Sequence, residues 1–171
     1  MPTPGEPATP PDAPVKKARY IKSTGDALAP VGAPQAVIDA IAAANAINDM
    51  SYVWGGGHNS SFSPGTLRAT SRKKKGRKGY DCSGAVSYVL GTPGAGLISY
   101  PMVSGDFASW GKRGRGRWIT VYANGGHVFA VIAKLRFDTS AYGSGGNGPR
   151  WRTTKRPMGG FAVRNPRQAS L

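Results

Sequence analysis

The sequence predicts an α+β domain in which a helix carrying the single cysteine packs on a central antiparallel β-sheet. Three observations predict it. Segments 35–47 and 81–90 carry apolar residues at helical spacing. Runs of β-branched and aromatic residues follow over 118–139, separated by turn residues. The 25 Gly and 14 Pro among 171 residues argue for many loops and against a helical bundle. Helices first and a strand meander afterwards is the segregated layout of α+β folds.

The elements follow in chain order. Residues 1–14 are Pro, Ala and Thr with two acids, a composition that cannot form a core and predicts a disordered or polyproline-like tail. Lys16 to Pro34 shows no period and is expected to be irregular. Residues 1–33 are therefore taken as an N-terminal segment and 34–171 as the folded domain. From Pro34, the residues Val37, Ile38, Ile41, Ala44 and Ala46 repeat at helical spacing on Ala-rich chemistry. Tyr52-Val53-Trp54 then meets the breaker Gly55-Gly56-Gly57-His58. Arg72-Lys73-Lys74-Lys75-Gly76-Arg77-Lys78 is a charge run in a polar loop.

Cys82, Ala85, Val86, Val89 and Leu90 predict a second helix, with Asp81 or Ser83 as its cap and Gly91 as its stop. Residues 92–116 read as irregular. Trp118–Tyr122 predicts a strand, Asn124-Gly125-Gly126 a hairpin turn, and His127–Ile132 a second strand, apolar on both faces and so central. Leu135–Thr139 predicts a third. Phe161–Arg164 is expected to close the sheet as an edge strand.

The formal net charge of +15 implies attraction to a polyanion: nucleic acid, anionic lipid or a phosphate-rich wall. No stretch approaches the ~20 apolar residues of a membrane-crossing helix. Residues 1–5 lack the basic start and apolar core of a secretion signal. An extracellular substrate would then imply a removed leader, a phage-type release route or an upstream part.

The lone Cys82 has two readings. It is either a small buried core residue or, at a helix N-terminus, a nucleophile whose thiolate the helix dipole favours and whose neighbouring N–H groups can stabilise an oxyanion. Thiol catalysis also needs a base. Only His58 and His127 are available, and His127 opens an apolar strand that can hold its ring rigidly.

Three blocks occur in order: Tyr52-Val53-Trp54-Gly55-Gly56, Tyr80-Asp81-Cys82-Ser83-Gly84-Ala85-Val86 and Gly125-Gly126-His127-Val128. Together they resemble the NlpC-type cell-wall cysteine peptidases, over about Val37 to Thr139. The resemblance implies a papain-like fold with Cys82 as nucleophile and His127 as base. It implies that Tyr52, Asp81 and Ser83 line the substrate pocket, with Asp81 meeting the free amine of a stem peptide. Helix capping is the competing role for Asp81 and Ser83, and plain core packing for Tyr52.

In that family the third member sits about a dozen residues after the histidine and is often His; here Asp138 stands at that place. A turn at Ala133-Lys134 of even length would set Val131 opposite Arg136 and bring Asp138 to the face of His127. Asp138 is then expected to accept the Nδ1 proton and leave Nε2 for the thiol. The competing reading is a surface Asp138 that ends the strand or pairs with Arg136. His58 is expected to be structural or to edge the substrate.

The resemblance implies peptidoglycan as the partner and the bond between D-γ-glutamate and the diamino acid as the point of cleavage, outside the cell or in the wall. Amidases and acyltransferases share this fold. No cofactor is expected, and one Cys with two His does not make a zinc set. A monomer is expected. The Arg72–Lys78 run is expected either to hold anionic wall polymers or to be solvated. The rival class is a non-catalytic basic binding protein of wall or nucleic acid on the same fold. It needs no Cys82–His127 pair, and no nucleic-acid motif is present.

Overall fold

The computed structural model describes residues 13–68, 72–142 and 146–171. The tail expected over residues 1–14 therefore lies almost wholly outside the described residues. The elements run β1 (Arg19–Tyr20), β2 (Ala27–Leu28), α1 (Gln35–Ile47), β3 (Ser51–Tyr52), β4 (Gly65–Thr66) and β5 (Lys78–Tyr80). They continue with α2 (Cys82–Leu90), α3 (Ser104–Phe107), β6 (Lys112–Arg113), β7 (Ile119–Ala123) and β8 (Val128–Ile132). β9 (Leu135–Asp138), β10 (Arg150–Arg152) and β11 (Ala162–Asn165) complete the chain.

The main sheet has six strands in the order β10-β9-β8-β7-β11-β6, and every pairing in it is antiparallel. β8 lies inside it, as its two apolar faces require. α1 and α2 pack on each other and both touch β8. Val37, Ile41, Val86 and Val89 from the helices join Val121, Val128, Ala130 and Ile132 from the sheet in one core. On α1 the buried face is Val37, Ala40, Ile41, Ala43, Ala44 and Ile47, while Ala46 faces solvent. Among the described residues no helix is long and apolar enough to cross a membrane.

Three sequence expectations change. Lys16 to Pro34 is not irregular throughout: β1 and β2 form a small antiparallel pair, with Ala18 and Ala27 buried. Ala18 N–H donates to Ala133 O at 2.8 Å, and Asn45 of α1 clips Ala27 by both its N–H and its C=O. Residues 92–116 hold α3 and β6. β11 is not an edge strand, because the two-residue β6 covers its outer side. Strands of two residues carry no period to read.

A second, three-stranded sheet in the order β3-β5-β4 delivers the site. β3 runs parallel to β5 with Tyr52 opposite Tyr80, so Tyr52 lies beside the chain just before Asp81 and Cys82. Gly79 permits that pairing: a Cβ there would stand 1.8 Å from Ser51 O.

Candidate active site

Cys82 is the first residue of α2 and is buried, with 8% of its surface exposed. Asp81 caps the helix, its Oδ1 accepting from Gly84 N–H at 2.8 Å. Its Oδ2 accepts from Gly55 N–H at 3.0 Å. The glycine block, read from sequence as a breaker, has a packing purpose. A Cβ on Gly84 would stand 1.8 Å from Gly56 O, so this loop lies directly on the first turn of α2. Backbone contact of that kind fixes where Cys82 points.

His127 follows the β7–β8 turn. Asn124 Oδ1 accepts from the N–H groups of Gly126 and His127, both at 2.9 Å, and this sets the entry to β8. The β8–β9 hairpin has the expected even turn: Val131 lies opposite Arg136, and Ala133 and Lys134 form the link at φ 46° and 63°. That pair of positive φ angles matches the twist of a two-residue hairpin. Asp138 thus reaches the histidine, with His127 Nε2 and Asp138 Oδ1 2.8 Å apart. A carboxylate only accepts, so Nε2 carries the proton. The ring orientation is therefore the reverse of the expected one: Nε2 faces Asp138, and Nδ1 is left for the thiol. Strand parity fixes the face a side chain occupies but not the torsion that turns the imidazole.

Asp138 is fully buried, so it is not the surface residue of the competing reading, but it pairs with Arg136 as well as with His127. Oδ1 takes His127 and the Ser140 N–H at 2.9 Å, while Oδ2 takes Arg136 and, at 2.8 Å, Arg156. Burial alone would raise the Asp138 pKa, but the hydrogen bonds from His127, Ser140 and Arg156 bring it down to about 2. Burial alone would lower the His127 pKa, but its hydrogen bonds to Asp138 and Cys82, and their charges, raise it to about 9. Tyr52 reaches the same place: its pKa is raised first by burial and then by the nearby Cys82 and Asp81 charges, against a hydrogen bond from the Cys82 backbone.

The structure therefore brings Cys82, His127, Asp138 and Tyr52 together. Asp81 and Ser83 adjoin them, but both are buried and engaged in one small cluster. His58 Nε2 lies 2.8 Å from Asp81 Oδ1, and Ser83 Oγ lies 3.1 Å from the same nitrogen and 3.3 Å from the same oxygen. A Ser–His–Asp relay uses two different ring nitrogens. Here both partners crowd one nitrogen, so Ser83 is not set up as a nucleophile.

Two residues that the sequence reading did not place in the site are Arg136 and Arg156. Arg136 lies two residues before Asp138 on β9, so strand periodicity signals it. Arg156 comes from an irregular loop that carries no such signal. Among the described residues, no group of three or more His, Cys, Asp or Glu is placed to hold a metal ion.

No family model matches the sequence, and no curated protein matches it. Solved structures do. The peptidoglycan hydrolase RipB from Mycobacterium tuberculosis is 23% identical, with a TM-score of 0.54 over 77% of this chain and 64% of that one. This chain shares its fold. A hypothetical invasion protein of M. tuberculosis matches at 22% identity and a TM-score of 0.52, over 89% of this chain and 69% of its own. A variant of the resuscitation promoting factor interacting protein RipA matches at 23% and 0.53, over the same shares. The chain thus spans 64% of the RipB chain's length.

Proposed function

We propose that this chain is an NlpC-type, papain-like cysteine peptidase that hydrolyses peptidoglycan stem peptides at the bond between D-γ-glutamate and the diamino acid, outside the cell or in the wall. One observation carries the reading. The Cys82 thiol at a helix N-terminus lies within hydrogen-bond reach of the His127 imidazole, whose Nε2 is held by a buried carboxylate. That arrangement supports a reading of the three as activated nucleophile, base and orienting group. The shared fold with RipB supports the choice of substrate.

In this mechanism the Cys82 thiolate attacks the peptide carbonyl carbon and His127 holds the proton on Nδ1. Negative charge develops on the carbonyl oxygen beside the Cys82 amide and the Tyr52 hydroxyl, where fixed donors are worth most. The tetrahedral species collapses to a thioester as Nδ1–H protonates the leaving amine. Nδ1 then takes a proton from water, the hydroxide attacks the thioester, and the acid product leaves with the thiolate restored. Tyr52 and Ser83 line the pocket in this reading. The carboxylate of Asp81 is spent on Gly55, Gly84, Ser83 and His58, so any hold on a substrate amine shares it with those donors.

The basic hairpin between β4 and β5 suits a wall polymer. Arg72, Lys73, Lys74, Lys75, Arg77 and Lys78 are all exposed, and among the described residues none is in an ion pair. Mass spectrometry of purified peptidoglycan digested by the wild type and by Cys82→Ala tests the proposal. New amino termini at the diamino acid are expected with the wild type only. Equal digestion by both would refute the thiol mechanism, and release at a sugar–peptide bond would point to an amidase relative.

A further inference from the structure

The loop between β10 and β11 enters the site at three points. Arg136 Nη2 donates to Thr154 O at 3.0 Å, and Asn124 Nδ2 donates to Gly160 O at 3.1 Å. Between these anchors, Arg156 Nη1 donates to Asp138 Oδ2. The Arg156 side chain is nine-tenths buried. Its guanidinium carbon lies 4.6 Å from the Phe129 ring centroid, 5.1 Å from Phe161 and 5.3 Å from Tyr142.

Two of those rings also wall the imidazole, with centroids 6.0 Å (Phe129) and 6.4 Å (Phe161) from that of His127. Arg156 and His127 thus share one aromatic box and one carboxylate. We propose that Arg156 is a positioning residue of the Cys82–His127–Asp138 site, fixing the carboxylate that orients His127 and opposing excess protonation of the imidazole.

The physical case has two parts. With Oδ1 on His127 and Oδ2 on both arginines, the carboxylate cannot rotate without breaking a charged hydrogen bond. A guanidinium one carboxylate away from an imidazolium is also a like charge that disfavours the imidazolium. The groups facing the pair are Cys82 from α2, Arg136 from β9, Arg152 from β10, whose Nε donates to Asp138 O at 3.1 Å, and Arg156 from the loop. A mere loop anchor would not need this burial. Arg156 Nε has no hydrogen-bond partner among the described residues, a cost that any apolar side chain would avoid.

The inference rests on the hydrolase reading, but its main measurement does not. The chain has two histidines, so ring NMR signals can be assigned with a His58→Gln variant and titrated directly. In Arg156→Met the His127 midpoint is expected to rise by on the order of one unit, since a like charge is gone. In Arg156→Lys, which keeps the charge, it should stay within a few tenths of the wild type. Turnover in Arg156→Met should fall about tenfold with KM little changed, and Arg156→Lys should recover part of it. Should Arg156→Met fail to fold, Arg156→Gln tests the same sign. A His127 midpoint that stays put or falls on loss of the charge overturns the proposal. A raised midpoint in a protein whose wild type does not cleave wall peptides supports the electrostatic role and refutes the hydrolase reading instead.

Discussion

Asp138→Asn is the sharpest test of the site, because the structure sets both its sign and its size. The substitution keeps the shape but removes the charge. His127 then loses its counter-ion while Arg136 and Arg156 stay in place. The wild-type His127 pKa stands at about 9. Removing a buried opposite charge in hydrogen-bond contact should lower it by roughly one to three units. A midpoint one to three units lower leaves the imidazolium at pH 7 between about nine-tenths and one-tenth populated, so turnover at pH 7 should fall by up to about tenfold from protonation alone, and further as the ring loses the carboxylate that orients it. The alkaline limb of the kcat/KM profile should move down by the same shift. Leaving two buried guanidiniums against a neutral amide also costs about 3–5 kcal/mol. For a domain of this size that is a drop of roughly 6–20 °C in melting temperature, so rates belong at low temperature, with folding checked by circular dichroism. A small soluble stem peptide is the right substrate, since it separates chemistry from wall binding. If turnover and the alkaline limb both stay at wild-type values in a folded Asp138→Asn protein, the assignment fails and His58 becomes the next residue to test.

Three further outcomes follow from the geometry. The raised pKa of His127 contributes stability that is complete below its unfolded value of 6.5 and is lost as pH rises through about 9; the lowered pKa of Asp138 contributes stability that is complete above 3.8 and is lost as pH falls through about 2. Urea midpoints should therefore be highest between about pH 4 and 6.5 as far as this pair decides, and a midpoint that climbs steadily from pH 7 to 10 would contradict the ion pair. Gly84→Ala places a methyl 1.8 Å from Gly56 O, so it should cost about 1–3 kcal/mol or more and lower turnover by displacing Cys82, whereas unchanged melting and rate would show that the loop yields freely. Replacing Lys73, Lys74 and Lys75 by Ser should weaken binding to intact walls, and flatten its salt dependence, more than it slows a small peptide; equal losses would put the hairpin in the active site.

Much of this arrangement is legible in the sequence because it depends on period and parity. The spacing of Cys82, Ala85, Val86, Val89 and Leu90 admits only a helix, and Asp81 before it is a cap by chemistry. The even turn at Ala133-Lys134 carries the face of His127 across to Asp138. What is not legible depends on torsions and on distant chain. The flip of the imidazole, Nε2 toward Asp138, is a side-chain choice made by the carboxylate's position. Arg156 reaches Asp138 from 18 residues away through a loop of Thr, Pro and Gly, where no repeat marks which side chain turns inward. β1, β2 and β6 are too short to show alternation, and they are held by Asn45, Ala133 and β11 rather than by their own pattern.

Cys82 stands between two buried carboxylates that do different work. Asp81 accepts from the backbone amides of Gly55 and Gly84 and from His58, so its charge is spread over donors that belong to the loop and the helix turn. That fixes the position of Cys82 and ties it to Gly56 and Gly57, which have no room for a side chain. Asp138 accepts chiefly from cations, and its charge therefore governs the proton on His127. A substitution at Asp81 should then disturb the place of the thiol and the stability of α2. A substitution at Asp138 should disturb the pH at which the thiol works. Melting curves and pH–rate profiles of Asp81→Asn and Asp138→Asn, measured side by side, separate the two roles. Asp81→Asn keeps Oδ1 for Gly84 and should leave the alkaline limb within a few tenths of a unit of the wild type, because no cation of the His127 network contacts it. An alkaline limb shifted as far by Asp81→Asn as by Asp138→Asn would mean that the two carboxylates act on the imidazole as one field, and the division of labour would fall.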